Sequence, residues 1–166
     1  MKKALLTMLA LSLLIFLYIT IQTSDSSKQN IAQHKSFDPT RDAEKDIQSS
    51  IIQATKYNKR ILLDVGGEWC IWCHRLDSLF IQNKDLSEYI DKHYVVVKIN
   101  VSKENENKES LSHYPKVTGY PYIFILEKNG NLLCSQGTGE FEYSQEYPIK
   151  GHNKAKVFEF LQKWAN

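Results

Sequence analysis

The feature that most constrains the fold is an apolar strand that leads through two glycines into a helix bearing two cysteines. Residues 61–65 form an apolar run broken by one aspartate, Gly66 and Gly67 follow, and Cys70 and Cys73 come three positions apart. Two residues three apart at a helix start lie on the same face. The positive end of the helix dipole favours a thiolate there. The stretch therefore predicts a reactive dithiol where a buried strand turns into a helix.

These residues and a later proline resemble the thioredoxin family. The shared features are Asp64 six residues before Cys70, the run Glu68-Trp69-Cys70, the second cysteine Cys73, and Gly119-Tyr120-Pro121 ahead of another apolar run. The resemblance extends from about residue 42 to the C-terminus and is nearest to the thiol:disulfide interchange proteins of the bacterial envelope. It implies an α/β thioredoxin-like fold, with a central mixed sheet flanked by helices, and a protein-disulfide oxidoreductase.

The resemblance also implies a role for each cysteine. Cys70 is expected to attack a substrate disulfide, and Cys73, one helical turn deeper, to resolve the mixed disulfide. Asp64, the acid inside the apolar strand, is expected to accept the proton of Cys73. The alternatives are a structural disulfide, which stabilises little when it closes so small a loop, and a strand-end carboxylate. No cofactor is expected beyond the redox-active disulfide itself.

Four further residues are expected to bind the substrate. By resemblance, Pro121 follows Tyr120 through a cis peptide bond and holds an extended substrate, although a proline that starts an edge strand is the commoner arrangement. Trp69 is expected to cover the dithiol, and Trp72 to lie exposed between the cysteines and offer stacking area to a partner. Ordinary packing is the alternative for both tryptophans.

The residues around the cysteines also depart from thioredoxin. Ile71 and Trp72 stand where thioredoxin has glycine and proline, and His74 replaces its lysine. The resemblance therefore indicates fold and chemistry better than it indicates the reduction potential. His74 could stabilise the Cys70 thiolate when protonated, and a solvent-facing helix residue is the alternative.

A different class of protein shares the cysteine motif. Cysteines in the pattern C-x-x-C followed by His74 also match covalent haem attachment, which would make the chain a c-type cytochrome that carries electrons. Both methionines precede residue 24, so the sixth haem ligand would be a histidine such as His93 or His113. The strand before the motif and the proline-led strand after it favour thioredoxin. A zinc site lacks a second paired half-site.

The N-terminal region predicts export. Lys2 and Lys3 precede a predominantly apolar run over residues 4–21, which as a helix would span about 27 Å, close to the ~30 Å core of a bilayer. We predict a signal peptide or signal anchor over residues 1–23, with the anchor favoured, and a polar tether over residues 24–40. The thioredoxin-like domain then occupies residues 41–166, in the periplasm or on the outer face of a bacterial inner membrane.

The remaining pattern predicts the elements around the dithiol. Apolar residues at helical spacing indicate a helix up to about Tyr57 and a closing amphipathic helix that ends near Trp164. Residues 94–99 and 122–126 read as strands, and Asn129-Gly130 predicts a hairpin. Asp85 with Glu88 resembles a helix cap. The aromatic stretch 140–152 could line a partner groove or form a packed loop.

The charge balance and the number of cysteines limit the classes of partner that we expect. Two of the 21 basic residues, Lys2 and Lys3, precede the apolar run, so the rest of the chain carries as many basic as acidic residues. Without a basic stripe, nucleic acid is not an expected partner. The expected partners are protein disulfides or dithiols, an upstream electron donor, and the membrane through the N-terminal segment. Cys134, the third cysteine, is expected to be a buried inert thiol.

Overall fold

The chain forms a four-stranded sheet with helices on both faces. A computed structural model describes residues 36–144, 146 and 149–165. Its helices are α1 (Ala43–Tyr57), α2 (Ile71–Gln82), α3 (Lys84–His93), the single turn α4 (Lys108–Leu111) and α5 (Lys154–Trp164). Its strands are β1 (Arg60–Gly66), β2 (Tyr94–Asn100), β3 (Tyr122–Leu126) and β4 (Leu132–Gly137), and a 3-10 turn spans Thr138–Phe141.

The predicted leader, residues 1–23, lies outside the described residues, as does the predicted tether up to residue 35. Within the part of the chain that the structure describes, no helix is long and apolar enough to cross a membrane.

The sheet is mixed, which confirms the predicted fold class. Its strand order is β2-β1-β3-β4, with β1 parallel to β2 and antiparallel to β3, and with β3 antiparallel to β4. The predicted hairpin joins β3 to β4. Its turn places Gly130 at a φ of +92°, a conformation that glycine adopts without steric cost. Because β1 is paired with a strand on each side, residues at its carboxyl end are flanked by both neighbours and can form a buried site.

The two faces of the sheet bury separate apolar clusters. Side chains alternate along β1, so Leu63 and Val65 pack against α1, whereas Leu62 faces the opposite layer. That opposite layer is formed by α2, α3 and α5, with Leu76 and Val157 among its fully buried members. Each such side chain contributes roughly 1.5–3 kcal/mol when it is fully buried. Asp64 is thereby directed towards the layer that contains the cysteine helix.

The start of α3 differs from the predicted cap. The helix begins at Lys84, with Asn83 as its N-cap residue and no side-chain capping hydrogen bond. Asp85 instead forms an ion pair with Lys154 at 2.7 Å, at the start of α5. The predicted cap formed by Asp85 and Glu88 is therefore wrong, because a tertiary ion pair engages the carboxylate.

The packed core also reaches into the segment before α1. Phe37, which the sequence assigns to the tether, is fully buried and packs with Cys70 and Cys73. Its backbone N–H donates to Oε1 of Glu68 at 2.6 Å. The start of the folded domain at residue 41 stays a prediction, and Phe37 packs with that domain.

Candidate active site

The two cysteines lie at the amino end of α2, as the sequence predicts. Cys70 is the N-cap residue, and its Sγ accepts the Cys73 N–H at 3.2 Å. The two residues form a disulfide with their Cα atoms 5.3 Å apart. Cys70 is 5% exposed and Cys73 fully buried. An incoming group therefore reaches Cys70 first, at the positive end of the helix dipole.

Glycine at position 66 makes room for the inner sulfur. A Cβ atom at Gly66 would lie 2.5 Å from Cys73 Sγ and 3.0 Å from the ring of Phe37. The sulfur thus packs directly against the backbone of β1. Asp64 lies two residues earlier, so its side chain projects from the same face of the strand. The carboxylate therefore lies on the cysteine side of the sheet, where it is 1% exposed.

A buried lysine links Asp64 to a second carboxylate. Lys98 is the register partner of Asp64 across the parallel strands, and its Nζ donates to Asp64 Oδ2 at 2.8 Å and to Asp77 Oδ1. The ring of Phe37 lies 4.1 Å from the same Nζ, a cation–π contact. The single ammonium group of Lys98 thus partly neutralises the negative charges of both carboxylates in a region with little access to water.

The charges of this cluster shift one another's protonation. Burial lowers the pKa of Lys98, but Asp64 and Asp77 together outweigh it and hold that pKa above its ordinary value. Burial, followed by the charge of Asp64, raises the pKa of Asp77 to about 6, although Lys98 opposes the shift. Asp77 is therefore a carboxyl group that can change protonation near neutral pH.

We did not predict Lys98 or Asp77 as members of the site. The sequence nevertheless contains a feature that points to each of them. Lys98 is a single charge within an apolar strand, as Asp64 is in its own strand, and Asp77 follows Cys73 by four residues on the same helix face. Only the strand register shows that these charges meet.

The two tryptophans differ in their exposure. Trp69 is 61% exposed beside the dithiol, its Nε1 donates to the carbonyl of Val101 at 2.7 Å, and its ring meets Tyr120 edge-on at 5.5 Å. Trp72 is half-buried in the first turn of α2, so the expectation of an exposed ring is wrong. Arg75 covers one of its faces at 4.5 Å.

The proline strand borders the dithiol. The peptide bond between Tyr120 and Pro121 is cis, as the resemblance implies. Tyr120 packs against the cluster formed by the two cysteines and Phe37. The hydroxyl of Thr138 donates to the carbonyl of Pro121 at 2.8 Å. This bond connects the proline loop to the 3-10 turn that follows β4.

His74 binds the loop that precedes the cysteine helix. Its Nε2 lies 2.8 Å from the carbonyl oxygen of Glu68 and 3.7 Å from Oε2 of the same residue. The ring thus holds Glu68, whose other carboxylate oxygen holds Phe37. Cys134, half-buried in β4, lies with the cluster beneath α5, and burial raises the pKa of its thiol.

The stretch before α5 brings a further histidine to the site. Residues 142 and 152 form an antiparallel bridge, and His152 packs edge-on against Trp72 at 5.6 Å. We did not predict this residue. The packed-loop interpretation of residues 140–152 is supported in part by buried Phe141, which contacts Phe160 at 5.0 Å. Tyr147 and Pro148 lie outside the described residues.

Metal binding has no obvious ligand set at this site. Among residues 36–144, 146 and 149–165, no cluster of three or more histidine, cysteine or acidic side chains is arranged to hold a metal ion.

Comparison with known families and curated proteins gives one family model and two relatives. A model described as Thioredoxin-like matches residues 42–128. "Disulfide bond reductase DsbH" of Chlamydia pneumoniae is 25% identical over 84 residues, which cover 46% of this chain and 50% of that protein. Human "Spermatogenesis-associated protein 20" is 34% identical over 53 residues, or 32% of this chain and 7% of that protein. The chain thus matches half or less of the length of these relatives.

Solved structures show the same architecture. A disulphide isomerase from Xylella fastidiosa Temecula1 superposes with a TM-score of 0.62 at 25% identity, covering 76% of this chain and 94% of that one. The C-terminal domain of DsbD from Neisseria meningitidis superposes with a TM-score of 0.53 at 15% identity, covering 74% and 96%. At the lower identity, the likeness concerns the fold alone.

Proposed function

Because the chain belongs to the thioredoxin-like family, we propose that it is a thiol:disulfide oxidoreductase that exchanges electrons with protein disulfides. The observation that carries this function is the Cys70–Cys73 pair at the amino end of α2, with one sulfur reachable and the other buried against β1. A disulfide between neighbouring helix positions adds little stability. Its value is chemical, since the two sulfurs can pass between dithiol and disulfide without rebuilding the fold. The redox group is the cysteine pair itself.

The geometry supports a division of labour between the two cysteines. The Cys70 thiolate attacks a substrate disulfide, forms a mixed disulfide and releases one substrate thiolate. Cys73 then gives its proton to Asp64 and attacks Cys70 Sγ, which releases the second substrate thiolate. Oδ2 of Asp64 is engaged by Lys98, so Oδ1 is the oxygen that can accept the proton. The products are the enzyme disulfide and two substrate thiols.

The residues around Cys70 form the proposed substrate surface. Trp69 and Ile71 are 61% and 59% exposed, and Tyr120 and Pro121 border them. An extended peptide can lie beside the Tyr120–Pro121 segment that precedes β3, with its apolar side chains on Trp69 and Ile71. Trp72 offers less stacking area to a substrate than Trp69, since its ring is half-buried.

The direction of electron flow is proposed to be reductive. A strong oxidant requires a very stable thiolate, and the two residues between the cysteines, Ile71 and Trp72, supply no good donor for one. His74 is engaged with Glu68 rather than with Cys70. The name of the curated relative, a disulfide bond reductase, points the same way. We therefore propose that the pair is kept reduced and donates electrons to oxidised proteins.

The proposed location is outside the cytoplasm of a bacterium. The apolar run over residues 4–21 behind Lys2 and Lys3 supports export with the amino terminus on the cytoplasmic side. The part of the predicted tether that precedes Phe37, whose ring is buried in the domain, would then present the domain to envelope proteins. An upstream membrane reductase would supply the electrons.

The activity has a direct test. The purified full chain is expected to accelerate insulin disulfide reduction by dithiothreitol and to lack haem absorption. A Soret band that survives denaturation, together with no reductase activity, would instead support the cytochrome. The variant Cys134→Ser serves as a control, and its activity is expected to match that of the wild type, because Cys134 lies in β4 away from the pair.

The direction of flow is tested in growing cells. Rapid acid quenching followed by alkylation is expected to find Cys70 and Cys73 mainly as free thiols, since a reductase is held reduced by its electron donor. A pair found almost wholly as disulfide would contradict the reductive direction and would indicate an oxidase, with the cysteine assignment unaffected.

A further inference from the structure

One buried side chain beside the active site has no role in the mechanism above. His152 is 4% exposed, lies just before α5 and touches Trp72. Neither Nδ1 nor Nε2 has a hydrogen-bond partner among the residues that the structure describes. A buried polar group without a partner is costly, and native proteins retain few of them. Because His152 lies next to the cysteine helix, we looked to the chemistry of the cysteines for a function of its unpartnered imidazole.

A second unpartnered atom lies on the same side of the sheet. Oδ1 of Asp64 is buried and, among the described residues, has no partner, whereas Oδ2 of the same carboxylate is held by Lys98. Oδ1 is also the oxygen that the proposed exchange uses. The oxygen of Asp64 that lacks a partner is thus the one that accepts the Cys73 proton in the proposed exchange.

The charges near His152 show that it lies within electrostatic reach of Asp64. Burial and the positive charge of Arg75 on α2 lower the pKa of His152 to about 4, and Asp64 on β1 opposes them. In this charge cluster Asp64 pairs with Lys98 on β2, which also pairs with Asp77 on α2. The imidazole is therefore neutral near pH 7, and a proton that it takes up is released again rather than held.

Direct contact between the two groups does not occur, because both would then have a partner. Buried polar atoms that lie farther apart than hydrogen-bond distance are commonly bridged by water. An internal water needs at least two polar partners, and Asp64 Oδ1 and the ring nitrogens of His152 are buried polar atoms for which the described residues supply no partner.

We propose that His152 is a positioning residue that acts through Asp64, holding one internal water against Oδ1 and relaying protons between that carboxylate and solvent. This role rests on the proposed oxidoreductase function. The Cys73 thiol gives its proton to Asp64, and the Cys73 thiolate forms the S–S bond to Cys70 while the bond from Cys70 to the substrate breaks. The proton then passes from Asp64 through the water to His152 and on to solvent. The released substrate thiolate takes a proton from solvent, so protons and electrons balance.

The relay is tested by separating the attack of Cys70 from the attack of Cys73. The reduced full chain carrying Cys134→Ser is mixed with 5,5′-dithiobis(2-nitrobenzoate), and thionitrobenzoate release is followed by stopped flow from pH 5 to 10. The first thionitrobenzoate reports the attack of Cys70, and the second reports the attack of Cys73 on the mixed disulfide. His152→Leu and His152→Gln are compared with His113→Leu, which changes an exposed histidine.

The expected result is a defect in the second phase alone. In His152→Leu the second phase slows at least about tenfold at pH 7, which is less than the ~10²-fold or more of general acid–base catalysis because Asp64 is still present. It recovers above pH ~9, where hydroxide can take the Cys73 proton directly. His152→Gln shows the same defect, because glutamine binds water but does not titrate. His113→Leu and the first phase of every variant stay within about twofold of the parent protein.

Other outcomes overturn the relay. An unchanged second phase in His152→Leu contradicts it, and so does a parent-like second phase in His152→Gln. If His152→Leu does not fold, as judged by circular dichroism, His152→Gln alone decides. A parent protein that releases no second thionitrobenzoate would overturn the oxidoreductase function itself, an outcome distinct from a failure of the relay.

Discussion

The variant Cys73→Ser is expected to accumulate as a covalent complex with its substrate proteins. Cys70 still attacks a substrate disulfide, but no thiol remains at position 73 to break the resulting mixed disulfide. Turnover in the insulin assay is expected to fall by at least about a thousandfold, since a serine hydroxyl is a far weaker nucleophile than a thiolate. Non-reducing gels should show adducts that dithiothreitol dissolves, and mass spectrometry should identify Cys70 as the attachment point.

Two matched variants complete this experiment. Cys70→Ser is expected to lose turnover equally and to form no adduct, because the remaining sulfur of Cys73 is fully buried. Cys134→Ser is expected to keep its turnover. Adducts formed through Cys73 in the Cys70→Ser variant would reverse the roles that we propose for the two cysteines.

The variant Lys98→Met is expected to be the most destabilising single substitution in the charge cluster. It removes the cation that Asp64 and Asp77 share and leaves the buried carboxylate of Asp64 near the half-buried carboxylate of Asp77. Breaking a buried ion pair by removing one partner costs about 3–5 kcal/mol. A domain of this size should therefore lose about 10 °C or more in melting temperature at pH 7, which thermal denaturation followed by circular dichroism measures.

The control for this loss is an exposed ion pair. Lys84 pairs with Glu88 at 3.6 Å, with its side chain 88% exposed, so Lys84→Met is expected to change stability by less than about 0.5 kcal/mol. Equal losses in Lys98→Met and Lys84→Met would show that the buried cluster contributes nothing special.

The pH dependence of the cluster is isolated by Asp77→Asn. The pKa of Asp77 is raised to about 6 from an ordinary 3.8, so the folded state binds this proton more tightly than the unfolded state. Its contribution to stability is fully present below pH 3.8 and is lost as the pH rises through about 6. The free energy of unfolding of Asp77→Asn relative to the wild type is therefore expected to increase from pH 4 to pH 7.

The comparison with the wild type is needed because His152 acts in the opposite direction. Its pKa is lowered to about 4 from 6.5, so its contribution to stability is lost as the pH falls through that window. In the wild type the two contributions oppose each other, so the pH dependence of its free energy of unfolding does not report either group alone. A difference between Asp77→Asn and the wild type that does not change with pH would contradict the raised pKa of Asp77.

Local patterns were enough to predict the frame of the site. The apolar run ending at Gly66, the cysteine spacing and the Asn129-Gly130 turn each depend on residues close together in the chain, and the structure has the corresponding strand, helix and hairpin. The cis bond before Pro121 followed from family resemblance, since only ~5% of such bonds are cis in general.

Long-range partners could not be predicted in the same way. Lys98 and Asp64 meet because two parallel strands pair in one particular register, and no local pattern fixes that register. Phe37 sits in a polar segment whose composition indicates a linker, yet one aromatic ring fills the space above Gly66. His152 lies 78 residues beyond His74 in the chain, and only the fold brings it against Trp72.

The position of Phe37 also determines where the domain can be cut. An expression fragment that starts at residue 42, where the match to the family begins, lacks the ring that packs on Cys73 and covers the ammonium group of Lys98. It also lacks the backbone N–H that engages Glu68. In such a fragment the Cys73 sulfur and the charge cluster would be exposed to water. The redox properties of its cysteine pair would therefore differ from those of the intact domain. A faithful fragment has to begin before Phe37.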